Sequence, residues 1–489
     1  MRKSRCPGGC SDCHGLSRRE FIAGVSAAAG AIVAGCGETI QMAPVGERIS
    51  QAGPASKCRP MVRACFVRRK EDYGMWWPGA VYDGKAALAM YAGQITESAK
   101  KLGIKLDLRS EPIFSAAEAD AWVAQSVAEK PDGLLVVLLD RQQHAWPTAN
   151  KAIDSKIPTV VFSPVGTSFT TNTAGPSRKP GCFICSTNDF SRVEYGLKML
   201  HTGAKLRATR CLVIRGNKRS DSVLPHLGIG LRYVPASDFL DEYKRTPDSE
   251  EILAMADQYM RRARSRTGAT RQDVINGIKS YAVARTLLRR EQADAITMDC
   301  LGALGSTKTS LPCIAWSRMN DDGIPAACEA DLGAVATHAL VQYLFDRPGF
   351  QQDPVAETAR GAIIGAHCSC ATRLNGFDKP PEPFDIIHHH GNRDAVPRTH
   401  WRPGQRVTCA DITPGTATHP AKMLIAGGEV LENISVPPAG GCVVSVMFQL
   451  NNVNDVLAFP GFHQLFFYGD YKDQLAQYCH LMNIEPVIF

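Results

Sequence analysis

The run Gly133-Leu134-Leu135-Val136-Val137-Leu138-Leu139 has no polar side chain, and helix-like sequence flanks it, Ala116 to Glu129 before and a helix through Lys151 after. A strand without a polar face has to be covered on both sides. The next run, Ile157 to Ser163, is again largely apolar. Strand, helix and strand therefore read as a βαβ unit, in a parallel sheet held between helices. The same alternation returns downstream. Strands are expected at Arg210 to Arg215, Ile229 to Val234, Ala293 to Met298 and Leu311 to Trp316, with a helix from Asp273 to Arg290 between the second and third. The texture changes after Pro348. From Gly361, short β-like runs (Ile363-Ile364, Arg406 to Asp411, Lys422 to Ala426, Cys442 to Leu450) are punctuated by Gly and Pro, and a helix from Tyr471 to Met482 closes the chain. Such punctuation suits a barrel or sandwich.

A chain of 489 residues exceeds what one hydrophobic core supports. The expected class is α/β, with two doubly wound parallel-sheet domains at 59–176 and 177–347, followed by a β-rich, barrel-like C-terminal domain at 348–489. Thr170 to Gly181, rich in Thr, Asn, Pro, Gly and Ser, reads as the linker between the first two.

Residues 1–58 read as an address and a tether. Ser17-Arg18-Arg19-Glu20-Phe21-Ile22 matches the twin-arginine (Tat) export pattern, and the Ala/Gly-rich stretch Ala23 to Ala34 is too short to span a bilayer. Val33-Ala34-Gly35-Cys36 looks like a lipobox, with Cys36 the lipidation site. The expectation is a periplasmic lipoprotein that meets the membrane through acyl chains only. A Tat signal without lipid is the alternative.

Hydrophobic residues make up 44% and charged residues 21%, ordinary for a globular chain. The net charge of +7 is spread out except at Arg261 to Arg266, which has no interleaved aromatics, so no nucleic-acid partner is expected. No phosphate-loop motif is present, and Gly228-Ile229-Gly230 opens no helix, which argues against a nucleotide cofactor. Cys10-Ser11-Asp12-Cys13-His14 has haem-attachment spacing but precedes the export signal and would be cut away. Cys182 with Cys185 and Cys368 with Cys370 read either as disulfides of an oxidising compartment or as buried thiols.

The chemistry concentrates at Asp321 to Ala334. Glu329 and Asp331 stand where a strand-like run hands over to an amphipathic helix, Leu332 to Leu344. That junction is the mouth of an open α/β sheet, where ligands bind. Flanking the small Ala330, the two acids can approach one metal ion or one polyol. Asp331 reads equally as the cap of the helix. Of His388-His389-His390, alternate residues on a strand face opposite sides.

Four short segments carry a resemblance. Trp77-Pro78-Gly79-Ala80, Cys328-Glu329-Ala330-Asp331, Gly365-Ala366-His367-Cys368, and Gly461-Phe462-His463-Gln464 with Phe467 to Tyr471 resemble motifs of the L-fucose isomerase and L-arabinose isomerase superfamily, in the same order. The resemblance implies two α/β domains and a β-domain. It also implies a homo-oligomer that interconverts the aldose and ketose forms of a pentose or 6-deoxyhexose through an enediol, using a divalent metal, Mn²⁺ or Mg²⁺. On the same ground Asp331 and His463 are implied as metal ligands, Asp331 as a catalytic acid, and Trp77, Glu329 and His367 as sugar contacts. One departure stands out. The family has a second acid upstream of its Asp, and here the nearest is Asp299, set farther back. Either Asp299 serves as that catalytic carboxylate or it is missing. The alternative is then a non-catalytic, exported sugar-binding lipoprotein with the outline of a solute-binding protein.

Overall fold

A computed structural model describes residues 49–71, 73–75, 82–141, 145–389, 393–416, 418–435 and 442–489. The chain divides into two compact units, Met1–Gln41 and Met42–Phe489, and every described residue belongs to the second. The twin arginines, Cys36, Trp77 and His390 lie outside the described residues.

Strands β1 (Met61–Val67), β2 (Lys105–Leu108), β3 (Gly133–Leu138), β4 (Thr159–Ser163) and β5 (Cys182–Ser186) form one parallel sheet in the order β2-β1-β3-β4-β5. β3 is buried at every position, as its composition requires. Alternate side chains feed two cores. Leu135 and Val137 pack with Phe66, Phe162 and Leu197 on one side. Leu134, Val136 and Leu138 pack with Trp122 and Trp146 on the other. The segment expected to be a linker holds a helical turn, Thr170–Thr173, and leads straight into β5. The boundary expected at 176–177 therefore falls inside the first sheet.

The second sheet is built from β6 (Arg210–Ile214), β7 (Ser220–Val223), β8 (Gly230–Val234), β9 (Ala295–Met298) and β10 (Ala326–Cys328), in the order β10-β9-β6-β8-β7. It is parallel except for β7, which runs antiparallel to β8. Leu311 to Trp316, expected as a strand, instead enters the helix Cys313–Asp321, all nine residues of which are buried. Periodicity cannot distinguish a short strand from a helix that is apolar all round. The strand in that place is β10, followed by helix α1 (Leu332–Phe345).

The C-terminal part contains a closed antiparallel barrel. Its strands are β11 (Phe350–Glu357), β12 (Ala362–His367), β13 (Arg406–Thr413), β14 (Lys422–Asn433), β15 (Val444–Leu450) and β16 (Gln464–Tyr468). They run in the order β13-β16-β11-β12-β15-β14, and β13 pairs with β14 to close the ring. Inside it Phe448 stacks on Phe466, with ring centroids 4.0 Å apart. Helix α2 (Lys472–Met482) packs against the barrel and the first sheet. Among the described residues no helix is long and apolar enough to cross a membrane. Cys182, Cys185, Cys368 and Cys370 are all free, buried thiols.

Candidate metal centre

The end of β10 and the start of α1 are joined by Glu329 and Ala330, both left-handed, with φ of 63° and 55°. Consecutive non-glycine residues in this region store strain, which is concentrated at functional sites. The kink turns Glu329 away from the helix that Asp331 then caps, its Oδ1 accepting from Ala334 N at 2.8 Å. Helix α1 lies directly on the barrel. A Cβ built on Gly333 would stand 2.3 Å from the Ile412 carbonyl oxygen, so only glycine permits that approach.

The barrel supplies the facing groups from adjacent strands. Asp353 on β11 lies opposite Ala366, next to His367 at the end of β12, and Gln352 lies opposite Gln464, next to His463. His463 is itself left-handed, φ 49°, following Gly461 at φ 103°. Its side chain is 3% exposed. Asp331 Oδ2 is 2.9 Å from His463 Nδ1, while His463 Nε2 lies 3.3 Å from both Glu329 Oε2 and Asp353 Oδ1. His367 is buried edge-on to His463, with ring centroids 5.7 Å apart.

Charge is concentrated here. Burial works against a charged His463, but Asp331 and Glu329 more than compensate and raise its pKa to about 9. The neighbouring imidazole holds Glu329 below its ordinary value. Burial pushes Asp331 up, yet the His463 and backbone hydrogen bonds win and leave it lowered. Asp353 is raised by burial. Burial lowers His367 to about 4, with His463 adding to the effect. Asp411 on β13, raised to about 7 by burial and by Asp331, completes the ring of acids.

Glu329, His367 and His463 offer ligand atoms within 4.8 Å of one another. His463 Nε2, Asp353 Oδ1 and His367 Nδ1 are buried with no hydrogen-bond partner. Buried polar atoms without a partner that converge beside carboxylates fit a divalent cation taking oxygen and imidazole ligands once His463 gives up its proton.

The structure brings together His463 and Asp331, expected as metal ligands, with Glu329 and His367, expected as sugar contacts, and leaves Asp299 apart. Asp331, expected as a ligand, has one oxygen on the helix and the other on Nδ1, so it orients the imidazole whose Nε2 faces the centre. Asp299 caps the short helix Cys300–Leu304 through Gly302 N at 3.2 Å and takes no part in the grouping. Asp353, downstream rather than upstream, lies at the same 3.3 Å from His463 Nε2 as Glu329 does. Its strand was not expected because Pro354 interrupts it, and proline lacks a ladder donor. The Cys-Glu-Ala-Asp segment signalled the locality, but nothing in the sequence distinguished Asp353 from a loop acid.

Neither a family model nor a curated protein matches the chain. Solved structures similar to it include a periplasmic solute-binding protein of an ABC transporter from Actinobacillus succinogenes with bound D-allose. It is 11% identical, covering 55% of this chain and 77% of that one, at a TM-score of 0.19. A solute-binding protein from Burkholderia multivorans is 14% identical, covering 60% and 95%, also at 0.19. A XylFII molecule is 12% identical, covering 56% and 97%, at 0.17. Superpositions this loose carry no argument about function.

Proposed function

We propose that the protein binds a sugar at the Glu329–Asp353–His463 centre and interconverts its aldose and ketose forms, with a divalent metal, Mn²⁺ or Mg²⁺, held by those three residues and His367. The supporting observation is the convergence of two carboxylates on His463 Nε2 at 3.3 Å, while Asp331 occupies Nδ1. The pentose or 6-deoxyhexose preference and the homo-oligomer rest on the four motif segments, and the exported lipoprotein form rests on the twin arginines and the lipobox. A metal bound there supplies Lewis acidity for two adjacent sugar oxygens. The residues do the rest. Asp331 fixes the imidazole and its tautomer, as outer carboxylates do for metal-binding histidines. Glu329 and Asp353 flank the position of the migrating hydrogen. Burial raises Asp353, the direction that suits a carboxylate carrying a proton between neighbouring carbons through an enediol.

The second reading is an exported protein that binds a sugar at the same place without turning it over. It rests on the export signal and on Asp299 standing apart from the site. One experiment separates the two. Metal content and Mn²⁺ affinity are measured on the purified protein, and ketose formation is followed across pentoses and 6-deoxyhexoses. Metal uptake with turnover supports isomerisation, and sugar binding without turnover supports the second reading. A protein that takes up no divalent ion overturns the isomerase.

A further inference from the structure

Helix α1 meets the metal centre with its first turn, and its far end opens on a cavity of about 520 Å³ that the chemistry proposed above does not use. The helix's 14 residues set the two about 20 Å apart. Tyr343 and Asp346, at the C-terminal end of α1, form one wall. Helices Gly84–Leu102 and Ser191–Ala208 form the others, the second packed against both α1 and the first.

Helix Ser191–Ala208 gives the cavity Glu194, Lys198, His201 and Lys205. Their spacing of i, i+4, i+7 and i+11 makes one polar stripe. Leu197, Met199, Leu200 and Leu206 are buried on the other faces of the same helix. The stripe is itself partly withdrawn from water. Lys198 keeps 28% of its side chain exposed, and His201 and Lys205 are half-buried. Amines so placed need negative or π partners. Asp346 pairs with Lys198, and Lys205 Nζ stands 4.2 Å from the Tyr343 ring centroid. Glu194 Oε1 accepts from Ser98 Oγ at 3.1 Å. Lys101, in the last turn of helix Gly84–Leu102, adds a third amine. Three lysines against two carboxylates leave the lining positive.

The tyrosine hydroxyls are bonded outside the cavity. Tyr195 donates to the Gln474 carbonyl at 2.7 Å, and Tyr343 meets Gln51 at 2.9 Å and Thr209 at 3.2 Å. With Leu102, the two rings supply the apolar part of the wall.

We propose that this cavity is a second ligand site, which takes a small polyhydroxylated anion, a sugar acid or a sugar phosphate. The lysines receive the anionic group. Glu194 and Asp346 accept from hydroxyls, and the tyrosine and leucine carbon covers the ring of the ligand. A few polar groups of both kinds set in an apolar wall, in a volume between about 300 and 1,000 Å³, is the usual make-up of a small-molecule site. The inference stands on this cavity alone, whether or not the metal centre isomerises a sugar.

Calorimetric titration of the full chain with galacturonate, glucose 6-phosphate and neutral glucose tests it. At least one of the two acids is expected to bind with Kd below about 1 mM, and glucose at least about tenfold more weakly. Tighter galacturonate identifies a carboxylate ligand, and tighter glucose 6-phosphate a phosphate. Lys205→Met should weaken the preferred acid at least about tenfold, the scale of one lost bond to a charged group. Lys101→Met should do the same from an exposed position whose change leaves the packing intact. Asp353→Asn, at the metal centre, should leave that affinity unchanged. The His201 ring gives a local reading by NMR. Burial, aided by Lys205 and Lys198, lowers its pKa to about 4, and an anion beside those amines should raise it. Failure of both acids to bind, equal affinity for glucose, or full affinity in both lysine variants overturns the site. Loss of binding in Asp353→Asn also overturns it, by placing the ligand at the metal centre.

Discussion

Asp331 and His463 come from opposite sides of the site and meet at 2.9 Å, carboxylate oxygen to Nδ1. The same carboxylate caps helix α1 through Ala334 N. One side chain thus ends a helix of the α/β part and fixes an imidazole of the barrel.

Removing that link should loosen both. Asp331→Ala is expected to lower stability by about 1 kcal/mol for the lost cap and to weaken Mn²⁺ binding about 10- to 100-fold. Asp331→Asn should keep much of the cap while still weakening metal. Thermal melts and calorimetric titration of the two variants separate these effects.

The acids that face Nε2 should matter far more for metal than Asp299, the upstream acid that the sequence offers. Glu329→Gln and Asp353→Asn are each expected to lose stoichiometric Mn²⁺, whereas Asp299→Asn should retain it. Elemental analysis after gel filtration checks this. Full metal retention by Asp353→Asn would contradict the assignment.

The elevated His463 pKa sets a pH dependence. Its value in the folded, metal-free protein, about 9, lies above the usual 6.5. Its contribution to stability is therefore fully present below pH 6.5 and lost as pH rises through 9. A metal must displace that proton. Mn²⁺ affinity should climb between pH 6.5 and 9, with proton release on binding. Calorimetry in buffers of different ionisation enthalpy measures the released proton.

Asp411 offers the converse test. Its folded pKa near 7, against 3.8 for the free group, means that the fold favours the protonated acid. The fold thus loses stability as pH rises from 3.8 to 7, and above that the deficit stays constant. In metal-free protein, Asp411→Asn should melt higher than wild type at pH 8 and match it at pH 4.

Gly333→Ala tests how closely α1 must sit on the barrel. The added carbon would meet the Ile412 carbonyl at 2.3 Å. A cost of about 1 to 3 kcal/mol is expected for such overpacking, together with weaker Mn²⁺ binding as Asp331 shifts from His463. Denaturant unfolding and metal titration report the two.

Sequence by itself determined the parallel sheets and the order of the parts. Uniformly apolar β3 must be covered on both faces, and that need is local to its own residues. It also marked Glu329, His367 and His463 as residues to watch, through short motif segments. The helix at Cys313–Asp321 defeated that reading because burial on every side erases periodicity. Pro354, which lacks a ladder donor, hid β11, and Asp353 with it. Only the tertiary structure decided which acids meet the histidine. That choice depends on barrel register, which sets Asp353 and His367 on adjacent strands and His463 just before the next, and on glycine-close packing that delivers Asp331 from a helix far away in the chain. Register and docking are properties of pairs of segments, and no single stretch of residues encodes them.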